Sequence, residues 1–222
     1  MARPGAMRAG LLAMLVAALT VGPAGAHSSG DHSSGAQAPA EPSVEDRQAV
    51  RLDALPDAVL VDSSGKELRF VSEVLGEHIV VMDFIYTSCT TACPVLTAIL
   101  KQVKTELGDR VGDDVAIVSL TVDPVTDTPE RLGRYAIEHG AGENWRFLTG
   151  PKARVDDLLE QLGAYTPEFV DHPVSIMVGD PRRNVWYRFF GFTAPSNVLA
   201  AVDKLTRARD QAQSTAAARQ EG

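Results

Sequence analysis

The chain has 222 residues, 45% of them hydrophobic, with 21 basic against 29 acidic side chains and a formal net charge of −8. That length suits a single hydrophobic core. An acidic chain is a poor match for a phosphate backbone, so nucleic acid is excluded as a partner.

Residues 1–26 read as a secretory signal. Arg3 and Arg8 make a positive start, 9–21 is an uncharged apolar run, and Ala24-Gly25-Ala26 offers small residues for cleavage. The run is shorter than the ~20 residues a membrane-spanning helix needs. No cysteine follows it to carry a lipid anchor. The expected location is exported, periplasmic or extracytoplasmic, with retention at the membrane if the signal stays uncleaved. Residues 27–48 are rich in Ser, Gly, Ala, Pro and Glu without an apolar period, and read as a flexible leader.

One domain is expected over 49–208. Strands at 59–61 and 68–70 flank Ser63-Ser64-Gly65, a hairpin signal. A buried strand follows at 79–86, then a helix at 94–107 and a β-branched strand at 115–121. Thr128 and Pro129 form an N-cap and first helical position, with the stop at Gly140. A short strand at 146–148 and a helix at 151–162 come next. Strands at 174–178 and 185–190 pair across Gly179-Asp180-Pro181, and a helix at 194–205 closes the domain. Residues 209–222 read as a disordered or fraying helical tail. The order predicts an α/β fold, a mixed sheet with helices on both faces. It is similar to the thioredoxin fold with an N-terminal β-hairpin extension.

The only two cysteines, Cys89 and Cys93, fall where the strand at 79–86 hands over to the following helix. Unpaired N–H groups and the helix dipole stabilise a thiolate there. A lone structural bridge usually closes a longer loop, because a tiny loop removes little unfolded-state entropy. The pair therefore leans toward redox or metal chemistry, as a reversible dithiol that can also clamp a soft ion such as Cu(I). Of the five histidines, His78 and His139 read as surface residues and His27 and His32 sit in the leader. His172 precedes a core strand, and Pro173 sits where thioredoxin-like folds often place a cis-proline facing the dithiol. On that context His172 points toward the cysteines.

The run from Phe84-Ile85-Tyr86-Thr87-Ser88-Cys89 to Cys93-Pro94, then Ser119-Leu120-Thr121-Val122-Asp123-Pro124 with Asp127-Thr128-Pro129, then Val170-Asp171-His172 and Phe190-Gly191, resembles the Sco/SenC family of copper-binding, thioredoxin-like proteins. The resemblance covers about 52–205. It implies that Cys89, Cys93 and His172 bind copper, and that the function is copper delivery to, or cysteine reduction in, the dinuclear copper site of cytochrome c oxidase. The implied partners are a copper-receiving oxidase subunit or other copper protein and a thiol reductant, with the chain itself a monomer. Thr90-Thr91-Ala92 stands where many members have Pro-Asp-Val, and Pro173 where many have Ser or Thr. Asp171 is a candidate to orient the imidazole or a solvated loop carboxylate, and Asp123 a candidate to tune the thiols or, on the favoured reading, to cap a turn. His27 and His32, with a freed amino terminus, form a weak Cu(II) candidate beside the simpler reading of a polar leader. The competing function is a metal-free thiol:disulfide oxidoreductase acting through Cys89 and Cys93. A peroxidase reading is disfavoured because the first motif holds no arginine.

Overall fold

Asp62 begins the fold's first turn by chelating it. Its carboxylate accepts the backbone N–H groups of Ser64 and Lys66 and the Ser64 hydroxyl, and Gly65 takes the positive φ (86°) the turn requires. The computed structural model describes residues 55–220, so the signal, the leader with His27 and His32, and the first residues of the expected domain lie outside the described residues. The turn joins β1 (Val59–Asp62) to β2 (Glu67–Arg69) in the expected antiparallel hairpin. A short helical turn over Phe70–Leu75 leads to β3 (Ile79–Ile85).

All seven residues of β3 and all seven of β4 (Val115–Thr121) are buried. Such fully buried, mostly apolar runs need cover on both faces, and the two strands pair in parallel at the centre of the sheet. Between them lies α1 (Ala92–Leu107), which buries Cys93, Leu96, Thr97, Leu100, Val103 and Leu107, a three-and-four spacing that keeps one stripe on the sheet. The helix begins before Pro94, which the first turn tolerates because its missing N–H has no intrahelical partner. After β4, Thr128 caps α2 (Pro129–Glu138) by accepting the Arg131 N–H, as its sequence predicts. Next come β5 (Trp145–Thr149), α3 (Lys152–Gln161), β6 (Ser175–Asp180), β7 (Val185–Phe190) and α4 (Pro195–Gln220).

The strand order is β2-β1-β5-β4-β3-β6-β7. Strands β3, β4 and β5 are parallel, while β6, β7 and the hairpin run antiparallel to their neighbours. One core packs α1, α2 and α4 against one face, and a second packs α3 and the hairpin region against the other. Because β6 runs against β3 and β7 against β6, the chain following β3, the chain following β4, the chain entering β6 and the end of β7 all emerge at one edge. That edge carries the site.

The closing helix is longer than its sequence suggests. It continues to Gln220, and Arg209, assigned to the fraying tail, is fastened. Its guanidinium pairs with the fully buried Asp180 at 2.6 Å and also donates to the carbonyls of Glu77 and His78. The buried carboxylate carries the helix past the point where its apolar stripe ends. From Asp210 to Arg219 the helix is exposed.

Candidate functional site

Cys89 lies in the turn after β3, and its N–H donates to the Tyr86 carbonyl. Cys93 lies in the first turn of α1, where its own N–H donates to Cys89 Sγ at 3.3 Å. The Cys89 sulfur thus takes up one of the N–H groups that a helix start leaves without a partner. Both side chains are almost wholly buried, at 7% and 1% exposure, and both are free thiols. Burial alone would push the Cys89 thiol up. Hydrogen bonds from the Cys93 thiol, the Cys93 and Thr91 N–H groups and the Tyr86 hydroxyl outweigh it and bring the thiol down to about 7. Cys93 moves the opposite way: deeper burial, and then its hydrogen bond to the Cys89 sulfur, hold it protonated. The helix-start argument from the sequence therefore applies to one cysteine of the two.

The turn is latched from behind by Asp127, a residue the sequence reading left without a role. Its buried carboxylate accepts the Thr87 N–H at 3.1 Å, the Thr87 hydroxyl at 2.5 Å and the Thr121 hydroxyl at 2.6 Å. Arg131 Nε reaches Thr87 Oγ1 at 3.4 Å, so an arginine does stand beside the turn although the motif itself has none. Asp123 caps its own turn by accepting the Thr126 N–H, the structural alternative of the two considered for it.

His172 is buried at 7% exposure, at the end of a 3-10 turn over Phe169–Asp171. Nδ1 lies 2.8 Å from the Phe169 carbonyl and Nε2 lies 3.2 Å from the Phe84 carbonyl. Asp171 is exposed, and the orienting contact falls to a backbone oxygen rather than to that carboxylate. Tyr86 links the two ligand-bearing segments: its ring meets the His172 imidazole edge-on at 5.8 Å between centroids, while its hydroxyl hydrogen-bonds the Cys89 thiol. The structure brings His172 to the tyrosine that touches Cys89. Among the described residues, however, no three His, Cys, Asp or Glu side chains are close enough together to hold a metal ion.

Two further charged groups lie in the sheet. Asp83 on β3 is wholly buried on the face covered by α1 and accepts the Ser119 hydroxyl at 2.5 Å, which in turn accepts from Trp145 Nε1. Among the described residues its second oxygen has no hydrogen-bond partner, and burial pushes the carboxyl up to about 7. Arg188 on β7 is 1% exposed on the other face. It donates to the carbonyls of Leu162 and Gly163 at the end of α3 and lies over the Phe84 ring at 5.8 Å. Desolvation lowers its guanidinium to about 10. Strand interiors do not advertise such residues; the only signal is a single charge inside each of the runs IVVMDFI and VWYRFF.

Residues 54–207 match the family model described as SCO1/SenC. The chain is similar to a SCO1 protein homolog of Bacillus subtilis, with 38% identity over 79 residues, 35% of this chain and 40% of that protein. It is similar also to a provisionally assigned copper-binding protein of Stutzerimonas stutzeri, with 28% identity over 110 residues, 50% of this chain and 52% of that one. These matches span about half or less of the relatives' length. Among solved structures it resembles BsSco, a member of the Sco family of cytochrome c oxidase assembly proteins in which a disulfide switch has been identified. That likeness has a TM-score of 0.54 and 27% identity, over 68% of this chain and 94% of that one.

Proposed function

The chain belongs to the SCO1/SenC family, and on that premise we propose that it is an exported copper-handling protein. Copper is its cargo, held by Cys89, Cys93 and His172 and passed to a copper-receiving partner such as an oxidase subunit. The observation that carries this reading is the bond from Cys93 N–H to Cys89 Sγ with the Cys89 thiol near 7. A sulfur that is about half thiolate at neutral pH, with a second sulfur beside it, is the donor pair a soft monovalent ion prefers.

The imidazole fits the same cargo. A neutral ring has one N–H, so only one of its two carbonyl contacts is a hydrogen bond. With the proton on Nδ1, at the shorter contact, the Nε2 lone pair faces the Phe84 oxygen and gains by turning to a cation instead. Nδ1 bonded to a backbone carbonyl is also the arrangement that fixes a ligating histidine. Closing the ligand set then asks His172 to leave Phe84 O and move past Tyr86. Among the described residues no helix is long and apolar enough to cross a membrane.

The test is copper titration of the reduced protein, wild type against His172→Ala. We expect one Cu(I) per chain in the wild type and a loss of at least about tenfold in affinity in the variant. Equal affinity in both would shift the reading to a thiol:disulfide oxidoreductase. The contrast between a Cys89 thiol brought down and a Cys93 thiol held up favours that second reading, since it separates an attacking sulfur from a resolving one.

A further inference from the structure

Next to the cysteine turn lies a cleft of about 220 Å³, lined by Thr87, Arg131, Arg134, Tyr135 and Glu138. Its near wall is Thr87 of that turn. The Cys89 N–H bond to Tyr86 O closes a four-residue turn with Thr87 as its second member, which keeps the ends of the turn within ~7 Å of one another. Arg131 is aimed by a relay: its Nε donates to Thr87 Oγ1, whose proton goes to Asp127. Among the described residues its two terminal nitrogens have no hydrogen-bond or ion-pair partner. Arg134 follows one helical turn later on the same face of α2. A guanidinium fork held by its Nε presents its other edge to a carboxylate. The two arginines outnumber Glu138 on the lining, and although Glu130 also draws on Arg134, they give the cleft a positive character in a chain of net charge −8.

We infer that this cleft is a carboxylate subsite for a small thiol that exchanges with Cys89. Glu138 on the same lining favours a thiol that also carries an ammonium group. The inference rests on the second reading above, in which Cys89 and Cys93 act as a redox-active dithiol. Starting from the oxidised pair, the thiolate of the small thiol attacks Cys89 Sγ. The Cys89–Cys93 bond breaks, a mixed disulfide forms on Cys89, and Cys93 leaves as a thiolate that takes a proton. A second small thiol then attacks the small-thiol sulfur of that mixed disulfide and frees Cys89. Two small thiols end as one small disulfide, and the protein gains two electrons and two protons as its dithiol.

The test has two arms. In the first, oxidised protein is reduced by 3-mercaptopropionate and by 2-mercaptoethanol at equal thiolate concentrations. We expect the carboxylate thiol to react about fivefold faster, and Arg131→Gln and Arg134→Gln each to bring the ratio toward one. In the second, reduced protein is alkylated at Cys89 by iodoacetate and by the neutral iodoacetamide, with free cysteine as reference. Iodoacetate should gain by a similar factor in the wild type and lose that gain in Arg134→Gln. A wild-type ratio equal to the reference, or a ratio that survives both substitutions, overturns the subsite. If no Cys89–Cys93 disulfide forms, the redox reading fails and the alkylation arm still decides the cleft. Wild-type copper titration reads the copper function separately.

Discussion

The turn that carries Cys89 is latched by a carboxylate, whereas the segment that leads to His172 is anchored by a guanidinium. Asp127 takes a backbone N–H and a hydroxyl from Thr87 on the cysteine turn and a second hydroxyl from Thr121 at the end of β4, all directional bonds to a wholly buried acceptor. Arg188 holds the carbonyls at the end of α3, nine residues and more before His172, and His172 itself rests on two backbone oxygens and the Tyr86 ring. The first arrangement fixes a sulfur pair in place. The second leaves an imidazole free to exchange one weak contact for another. Beneath them the sheet repeats the contrast, with the half-satisfied acid Asp83 on the face toward the thiols and the cation Arg188 on the face away from them.

The largest effect expected from this contrast is one of pH. Asp83 ionises at about 7 in the folded protein, against 3.8 for an ordinary aspartate. A raised acid contributes stability that is complete below the unfolded value and is lost as pH rises through the folded one. Denaturant unfolding should therefore show wild type losing on the order of 4 kcal/mol relative to Asp83→Asn between pH 4 and pH 7, and little more above that. A flat difference across that range would mean that Asp83 is already charged when folded.

Breaking the carboxylate latch comes next. Asp127→Ala strands the Thr87 and Thr121 donors and should cost about 3 kcal/mol in urea unfolding. It should also make Cys89 alkylation less dependent on the thiolate-holding turn, seen as an upward shift of its pH midpoint. An unchanged midpoint would show that α1 alone orients the sulfur. Arg188→Leu should cost less, about 2 kcal/mol, because it trades lost bonds to Leu162 and Gly163 for relief of a buried charge that has no carboxylate partner among the described residues. Its alkylation profile should match wild type, which separates the two anchors.

The smallest effect is at the link between the segments. Tyr86→Phe removes one of the bonds that bring the Cys89 thiol down, so the alkylation midpoint should move up slightly from about 7. The same variant should leave stability within about 0.5 kcal/mol, since the ring that packs on Phe169 and His172 remains. A midpoint that does not move would leave the thiolate to the helix-start N–H groups alone.

Much of this was legible along the chain. Mostly apolar, β-branched runs marked β3 and β4, Thr128-Pro129 marked the start of α2, and Ser63-Ser64-Gly65 marked the hairpin, because each signal is local and carries its own physical cause. The apolar stripe of α4 stops near 205, so a helical tail is legible beyond it, but not its anchor, an ion pair from Arg209 to Asp180, 29 residues back in sequence. Asp171 was a reasonable partner for His172 by adjacency, yet neighbours in a turn point apart and the ring found a carbonyl instead.

By itself the sequence determined the strand and helix order and the handover from β3 to α1 that puts both cysteines at a helix start. These follow from periodicity, capping and the unpaired N–H groups of a helix start, which act within a few residues. Only the tertiary structure decided that Asp127 grips Thr87, that Arg131 turns toward the cysteine turn and that His172 meets Phe84 across 88 residues. Those pairings depend on which strand edges the parallel and antiparallel registers bring together, and no local preference encodes that.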